Sequence, residues 1–216
     1  MKRKILSTIL ILTLAATSVT ACGKSSSADK NKETLTVLNY GKYIDEDAVK
    51  TFEKETGITV KYEEYESPEE MYTKYKAGSI DYDVICSSEY MVEKLINEGE
   101  VLQMDYAGME NYKNLDPTII DMSSAYDKDH NYSLPYFYGT LGLLYNKTEV
   151  DPSVVKSWDC LWDPTYEDEI IMENSVRDTF APALIDLGYS LNETDETHLR
   201  EALDVLKKQK DDKIVY

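Results

Sequence analysis

The sequence predicts an α/β fold in which helices cover a parallel sheet. Between residues 35 and 98, three strand patterns alternate with three helix patterns, an order typical of parallel strands joined by crossover helices. The crossovers are expected to be right-handed. A chain of 216 residues with 42% hydrophobic residues is long and apolar enough for one large α/β unit or two lobes.

The first repeat consists of a strand, a helix and a second strand. Residues 35–40 form a β-rich run, and Asp45 opens a helix that Gly57 ends. Residues 58–65 then alternate between apolar and polar side chains, as a strand does. The apolar positions of the helix are Ala48, Val49 and Phe52.

The second helix begins with a recognisable capping pattern. Ser67 suits the N-cap, Pro68 the first helical position and Glu70 the third position of a capping box, and the helix ends near Gly78. Glu69 and Glu70 could also be a pair of catalytic carboxylates. Their place in the capping box favours the structural interpretation.

The third repeat completes the predicted sheet and points to a binding edge. Residues 82–87 predict a strand, residues 89–98 a helix and residues 101–104 a short further strand. Ligands of parallel sheets bind beyond the carboxyl ends of the strands. The segments 40–43 and 87–90 are therefore candidate site segments.

The middle of the chain changes character. Residues 106–133 are polar and rich in loop residues, with a short helix expected after Asp116 and Pro117. Residues 134–145 form a largely apolar run. We predict that this run includes a strand crossing between two lobes.

The last part of the chain contains further predicted elements. The patterns indicate a short helix at 158–162, a strand at 169–172, a helix at 176–187 and a helix at 196–209 whose apolar stripe is typical of core packing. Residues 214–216 resemble the beginning of another strand. We therefore expect the chain to be incomplete.

The beginning of the chain predicts export and a lipid anchor. A basic start and the apolar run 5–16, shorter than the roughly 18 residues of a membrane span, indicate a secretory signal. Residues 19–23 resemble the bacterial lipobox, in which small residues precede a cysteine that receives a diacylglycerol. This predicts a lipoprotein signal peptide at 1–21, lipid attachment at Cys22 and a flexible tether at 22–34. Ordinary cleavage with Cys22 left as a free thiol is the alternative.

The charge balance argues against a nucleic-acid partner. The sequence has 23 Lys and Arg against 41 Asp and Glu, a formal net charge of −18. Binding to phosphates needs clustered basic residues, whereas an acidic protein attracts cations. Acidity that serves only solubility is the alternative interpretation.

No motif indicates an enzyme or a metal site. His130 and His198 lie outside any zinc-binding spacing, and the sequence lacks a nucleophile elbow, a phosphate loop and a dinucleotide-binding glycine pattern. We therefore predict no catalysis, no cofactor and no metal. Cys86 and Cys160 are interpreted as small buried hydrophobic residues, with a disulfide between them as the alternative.

Tyrosine is the distinctive residue of this sequence. There are 18 Tyr against 3 Phe and 2 Trp, and Tyr40, Tyr43 and Tyr90 stand at predicted strand ends. A tyrosine offers its ring face to a cation and its hydroxyl to a hydrogen bond, which suits a pocket that strips water from an ammonium group. Tyrosines that merely cover a wet surface or replace Phe in the core are the alternative.

Five short motifs between residue 35 and the C-terminus resemble those of one transport family. They are Asn39-Tyr40-Gly41-Lys42-Tyr43-Ile44, Phe52-Glu53-Lys54-Glu55-Thr56-Gly57-Ile58, Tyr82-Asp83-Val84-Ile85 followed by Ser88 and Tyr90, Ser133-Leu134-Pro135-Tyr136, and Ser175-Val176-Arg177-Asp178. The sequence resembles the spermidine/putrescine-binding lipoproteins of polyamine ABC transporters, the PotD-like group of periplasmic binding proteins.

The resemblance implies a periplasmic-binding-protein-like fold with two lobes and parallel-rich sheets. Residues 35–138 correspond to the first segment of lobe 1 and residues 139–216 to part of lobe 2, with a hinge near residues 138–140. Chains of this family continue well beyond this length, so the second lobe is expected to be truncated. If 216 residues were the whole product, we would expect an impaired binder that exposes sheet edges.

The resemblance also implies a set of ligand-binding residues. Aromatic pocket positions, a hydroxyl that binds an amine and an acid of the second lobe are expected at Tyr40, Gly41, Tyr43, Ser88, Tyr90, Ser175 and Asp178. Two positions depart from the family. Ser175 stands where some members carry aspartate, and Lys42 stands where some carry an acid, so the Lys42 side chain must point away from the cleft.

The implied function is capture of a polyamine, spermidine or putrescine, and its delivery to a membrane ABC permease by lobe closure. The expected protein is an extracytoplasmic monomer that is attached to the cell membrane through Cys22. A binding protein for another small cationic solute, a lipid-anchored hydrolase whose catalytic residues lie further along, and an adhesin fragment are the alternatives.

Overall fold

Strand β1 (Thr34–Tyr40) is the centre of a three-stranded parallel sheet. The computed structural model describes residues 33–211, and in it β1 pairs with β2 (Thr59–Tyr65) on one side and β3 (Val84–Ile85) on the other. The predicted parallel sheet is therefore confirmed. Strand β3 is shorter than predicted.

Three helices connect and follow these strands. They are α1 (Glu46–Thr56), α2 (Pro68–Lys76) and α3 (Glu89–Asn97). The Asp45 side chain caps α1 by accepting from the Asp47 amide at 2.8 Å, and Gly57 ends it with φ of 77°, a left-handed conformation that glycine adopts without strain. Both predicted ends of α1 are confirmed.

The start of α2 confirms the structural interpretation of Glu70. The Ser67 hydroxyl accepts from the Glu70 amide at 3.2 Å, and the Glu70 carboxylate accepts from the Glu66 amide at 2.8 Å. The reciprocal bond thus reaches one residue further back than in a standard capping box. These bonds and Lys74 lower the pKa of Glu70.

Two separate hydrophobic cores support the described chain. The first packs the sheet against α2 and α3, and its buried residues are Leu38, Tyr65, Met71, Met91 and Leu95. The second lies between α5 (Val176–Asp186) and α6 (Glu196–Asp211), and its buried residues are Ala183, Leu184, Ala202 and Leu206. The predicted core stripe of the last helix is therefore confirmed, while the lobe boundary after residue 138 stays a prediction.

Short helices occupy the segments between these cores. Helix α4 (Pro117–Ser123) begins after the Asp116 cap, as predicted. The remaining helical segments are 3₁₀ turns at Tyr106–Gly108, Glu110–Asn114, Trp158–Trp162 and Pro164–Tyr166.

Three predicted strands are wrong. Residues 101–104 and 134–145 form no strand, and within 169–172 only Ile171 makes an isolated bridge. A β-rich run becomes a strand only where a neighbouring strand pairs with its backbone groups. Residues 134–145 instead follow an irregular path with Leu144 fully exposed.

Both cysteines in the described part are free thiols, so the alternative of a Cys86–Cys160 disulfide is wrong. Cys160 is buried, whereas Cys86 is only half-buried. Burial raises the pKa of Cys86 to about 11, which keeps its thiol protonated near neutral pH.

Several predictions fall outside residues 33–211. These are the signal peptide at 1–21, the lipid attachment at Cys22, all but the end of the tether at 22–34, and the strand start at 214–216. Within the described range, no helix has the length and apolar character needed to cross a bilayer.

A buried carboxylate organises the loop that follows α4. Asp127, which is 2% exposed, accepts hydrogen bonds from the amides of Asn131, Tyr132 and Ser133 and from the Ser133 hydroxyl, at 2.8 to 3.0 Å. Burial opposes its ionisation, but the hydrogen bonds outweigh burial and lower its pKa. The ionised side chain therefore stabilises this loop.

We expect Asp127→Ala to lower the free energy of unfolding by about 2 to 3 kcal/mol, because several buried donors lose a charged acceptor. In the parent chain this contribution is present above the ordinary aspartate pKa of about 3.9 and is lost as the pH falls through the lower folded value. Urea unfolding at pH 7 and pH 3 measures both effects. Asp129→Ala, at an exposed position, is the control, and an equal loss in both variants would contradict the assignment.

Candidate functional site

Tyr40 stands at the end of the central strand and links two neighbouring segments. Its hydroxyl lies 2.6 Å from the Ser88 Oγ, and its ring lies 4.5 Å from Tyr65 and 5.1 Å from Tyr43 between centroids. Ser88 occupies the N-cap of α3, yet its side chain makes no capping bond. The hydroxyl that would ordinarily cap the helix is directed to Tyr40 instead.

The backbone around Gly41 continues the sheet for one more residue. The Gly41 amide donates to the Tyr65 carbonyl at 3.1 Å, and Lys42 adopts a left-handed φ of 59°. The Lys42 amide donates to Glu64 at 3.3 Å. Gly41 thus belongs to the turn that brings Tyr43 back toward Tyr40.

An outer aromatic wall extends this cluster. The Tyr136 hydroxyl donates to the Tyr43 carbonyl at 2.7 Å, and the Phe137 ring meets the Tyr43 ring edge-on at 5.2 Å. Phe137 is 64% exposed, so its ring faces solvent beside the cluster. No site role was expected for Tyr136 or Phe137 from the sequence. Three consecutive aromatic residues at 136–138 were the available signal.

Tyr90 connects the first part of the site to helix α5. Its hydroxyl donates to Glu69 at 3.0 Å, and the Arg177 guanidinium carbon lies 5.4 Å from its ring centroid. Burial and the Glu69 carboxylate raise the pKa of Tyr90, although the nearby Ser175 hydroxyl partly opposes this. Ser175 itself caps α5, with its Oγ 3.5 Å from the Asp178 amide.

Glu69 and Asp178 lie near these rings, and Glu173 lies near Asp178. Glu69 reaches the Tyr90 hydroxyl, the charge of Asp178 contributes to the raised pKa of Tyr40 after burial, and Glu173 has a pKa raised by burial and by Asp178. When a neighbouring carboxylate raises the pKa of an acid, the site has a negative electrostatic potential, and a bound cation would reduce it.

Helix α5 contains a proline one turn after Asp178. Pro182 has no amide hydrogen, so it cannot donate the usual bond to the Asp178 carbonyl.

The histidines of the described part have structural surroundings. His130 pairs its Nδ1 with Ser123 at 3.1 Å, and His198 stacks on Tyr189 and pairs with Glu193 at 3.0 Å. Across residues 33–211, no group of three or more His, Cys, Asp or Glu side chains is arranged to hold a metal ion.

The structure brings most of the expected site residues together. Tyr40, Tyr43, Ser88 and Tyr90 lie around the ends of β1 and β3, and Ser175 and Asp178 approach them from α5. Glu69 was not among the expected ligand-binding residues, because its place in the capping box favoured a structural role. Its chain neighbour Glu70 does cap the helix, and only the fold distinguishes the two.

A family model for bacterial extracellular solute-binding proteins matches residues 47–216. The chain belongs to this family. The resemblance to its PotD-like group is also confirmed. The spermidine/putrescine-binding periplasmic protein of Salmonella typhimurium is 36% identical over 198 residues, which cover 90% of this chain and 56% of that protein. The putrescine/cadaverine-binding protein of Pseudomonas aeruginosa is 36% identical, with 88% of this chain and 54% of that protein covered.

Solved structures agree with this family. The PotD spermidine/putrescine substrate-binding protein of Streptococcus pneumoniae is 38% identical, with a TM-score of 0.64, 85% of this chain covered and 56% of that chain. The TpPotD lipoprotein of Treponema pallidum has a TM-score of 0.75 at 26% identity, with 85% of this chain and 57% of that chain covered. The chain spans about half the length of the curated relatives it matches.

The Tyr40–Ser88 hydrogen bond gives a test of the site geometry. We expect Tyr40→Phe and Ser88→Ala each to lower the free energy of unfolding by about 0.5 to 1.5 kcal/mol, since each removes the same half-buried bond. The double variant should lose less than the sum, with a coupling of about 1 kcal/mol. Urea unfolding of the four proteins measures the coupling, and strict additivity would contradict the contact.

Proposed function

We propose that this chain is part of an extracytoplasmic solute-binding protein that captures a polyamine, spermidine or putrescine, and delivers it to an ABC permease. The observation that carries the proposal is one connected cluster of tyrosine rings and carboxylates at the carboxyl ends of parallel strands. Parallel sheets bind their ligands at this edge. The names of the relatives support polyamines as the ligand class.

The proposed binding follows from the chemistry of the cluster. A buried ammonium group must replace its hydration shell with ring faces and oxygen acceptors. Tyr40, Tyr43 and Tyr90 supply rings, while Glu69 and Asp178 supply negative charge. One cation–π contact contributes about 0.5 to 2 kcal/mol, whereas micromolar binding needs about 8 kcal/mol. Several of these groups must therefore act on the same ligand.

The remaining features of the proposal concern the whole protein. Cys22 would hold it at the membrane through a lipid, residues 138–140 would act as a hinge between lobes, and the binding unit would be a monomer without catalytic activity. Because the matched part of this chain covers only 56% of a relative such as the Salmonella typhimurium protein, the complete binding site is expected to use further residues of a longer protein. This chain alone should bind more weakly than its relatives.

Calorimetry with spermidine, putrescine and the matching uncharged diols tests the ligand class. We expect heat of binding with the amines and none with the diols, because the carboxylates act on ammonium charge. Asp178→Asn should weaken amine binding by about 1.5 to 3 kcal/mol, since it removes a charged partner but keeps the shape. The absence of heat with any amine, or equal heat with the diols, would remove the proposal. Unchanged affinity in Asp178→Asn would remove Asp178 from the site.

Glu69 and Glu70 form a matched pair for a second test. Glu69→Gln should lower amine affinity by about 1 to 2 kcal/mol with little change in stability, because Glu69 faces the Tyr90 hydroxyl. Glu70→Gln should lower the free energy of unfolding by about 0.5 to 1 kcal/mol with unchanged affinity, because Glu70 caps α2. Calorimetry and urea unfolding of both variants separate the two roles, and the reverse pattern would contradict the assignment of Glu69 to the site.

A further inference from the structure

Arg177 places a positive charge inside the candidate site. It lies in the first turn of α5, and its guanidinium carbon is 5.4 Å from the ring centroid of Tyr90. A guanidinium within about 6 Å of a tyrosine ring face is attracted by the ring electrons. The ring that is expected to receive a ligand ammonium is therefore already in contact with a cation of the chain itself.

The position of Arg177 has no evident value for its own helix. Positive charge in the first turn of a helix is unfavourable, because the exposed amides there carry partial positive charge. The guanidinium donates a hydrogen bond from Nη2 to the Asn192 Oδ1 at 2.5 Å, and this acceptor is a neutral amide and not a carboxylate. The contact with the Tyr90 ring therefore brings a full positive charge into the aromatic part of the site.

We propose that Arg177 is a resident cation on Tyr90 that competes with the ligand ammonium and so sets the affinity and selectivity for amines. This inference rests on the proposed function, because it concerns the same site. In the unliganded chain the guanidinium occupies the Tyr90 face. An incoming ammonium group must move it aside or bind beside a like charge.

The guanidinium has a second contact besides the Tyr90 ring. Asn192, which accepts its hydrogen bond, lies in the loop between α5 and α6. This bond could hold the guanidinium after it leaves the ring. Glu69, at the Tyr90 hydroxyl, is the carboxylate that would face a ligand ammonium on this ring.

The test compares Arg177→Gln, Arg177→Lys and the parent chain by calorimetry with spermidine and putrescine. Arg177→Gln should bind both amines about tenfold more tightly, the size of one cation–π contact at a partly exposed site. Arg177→Lys, which keeps the charge, should stay within about threefold of the parent. Arg200→Gln, on the exposed face of α6, is the control and should leave affinity unchanged.

Weaker binding in Arg177→Gln would overturn the inference and make Arg177 a residue that positions Tyr90, whereas unchanged binding would overturn it by showing that Arg177 has no effect on affinity. A second measurement needs no ligand: the Arg177 Hε resonance should be shifted upfield by the Tyr90 ring and should return to its ordinary value in Tyr90→Leu. An ordinary shift in the parent chain would overturn the resident contact. If no variant binds any amine, the proposed function fails and the selectivity role fails with it, even where the resonance places the guanidinium on the ring.

Discussion

The parallel pairing of β1 with both of its neighbours determines where the site can form. Tyr40 lies opposite Tyr65 in the register with β2, and Leu38 lies opposite Ile85 in the register with β3. The Gly41 amide continues the first pairing beyond the strand end. Because all three strands run the same way, the segments that follow them emerge at one edge, and the side chains of those segments meet there.

The charge of the site comes from its carboxylates and not from its phenols. Burial raises the pKa of Tyr40, Tyr65 and Tyr90, so these side chains stay neutral and act through ring faces and hydrogen bonds. Negative potential therefore depends on Glu69 and Asp178. This division suits a cation that carries both charge and methylene groups, since rings pack on the methylenes while carboxylates face the charge.

Glu69 and Glu70 show what a local sequence pattern can predict and what it cannot. The Glu70 carboxylate accepts from the Glu66 amide and the Glu70 amide donates to the Ser67 hydroxyl, and the serine-to-glutamate spacing predicted that role. Glu69 reaches a hydroxyl that lies 21 residues further along the chain. The same capping pattern contains both residues, so it could not indicate which one enters the site.

The prediction of a strand within residues 134–145 failed for a similar reason. The composition of these residues favours a β conformation, but composition does not supply a neighbouring backbone to pair with. In the fold, Tyr136 uses its hydroxyl to reach the Tyr43 carbonyl, and the run around it stays irregular. An apolar and aromatic run thus became part of the site surroundings rather than part of a sheet.

The sequence by itself determined the elements whose signals lie within a few residues, namely the capped helices α1, α2 and α4 and the stripe of α6, whereas Tyr40, Ser88 and Tyr90 were indicated by the family motifs. Hydrogen-bond and spacing rules act over one or two turns, so those elements could be predicted. Only the tertiary structure decided the contacts between distant residues, such as Tyr40 with Ser88 at a separation of 48 and Tyr136 with Tyr43 at a separation of 93. The contact between Arg177 and Tyr90 was also decided by the tertiary structure. A cation–π contact depends on where two helices lie relative to each other, and no periodic pattern in the sequence indicates it.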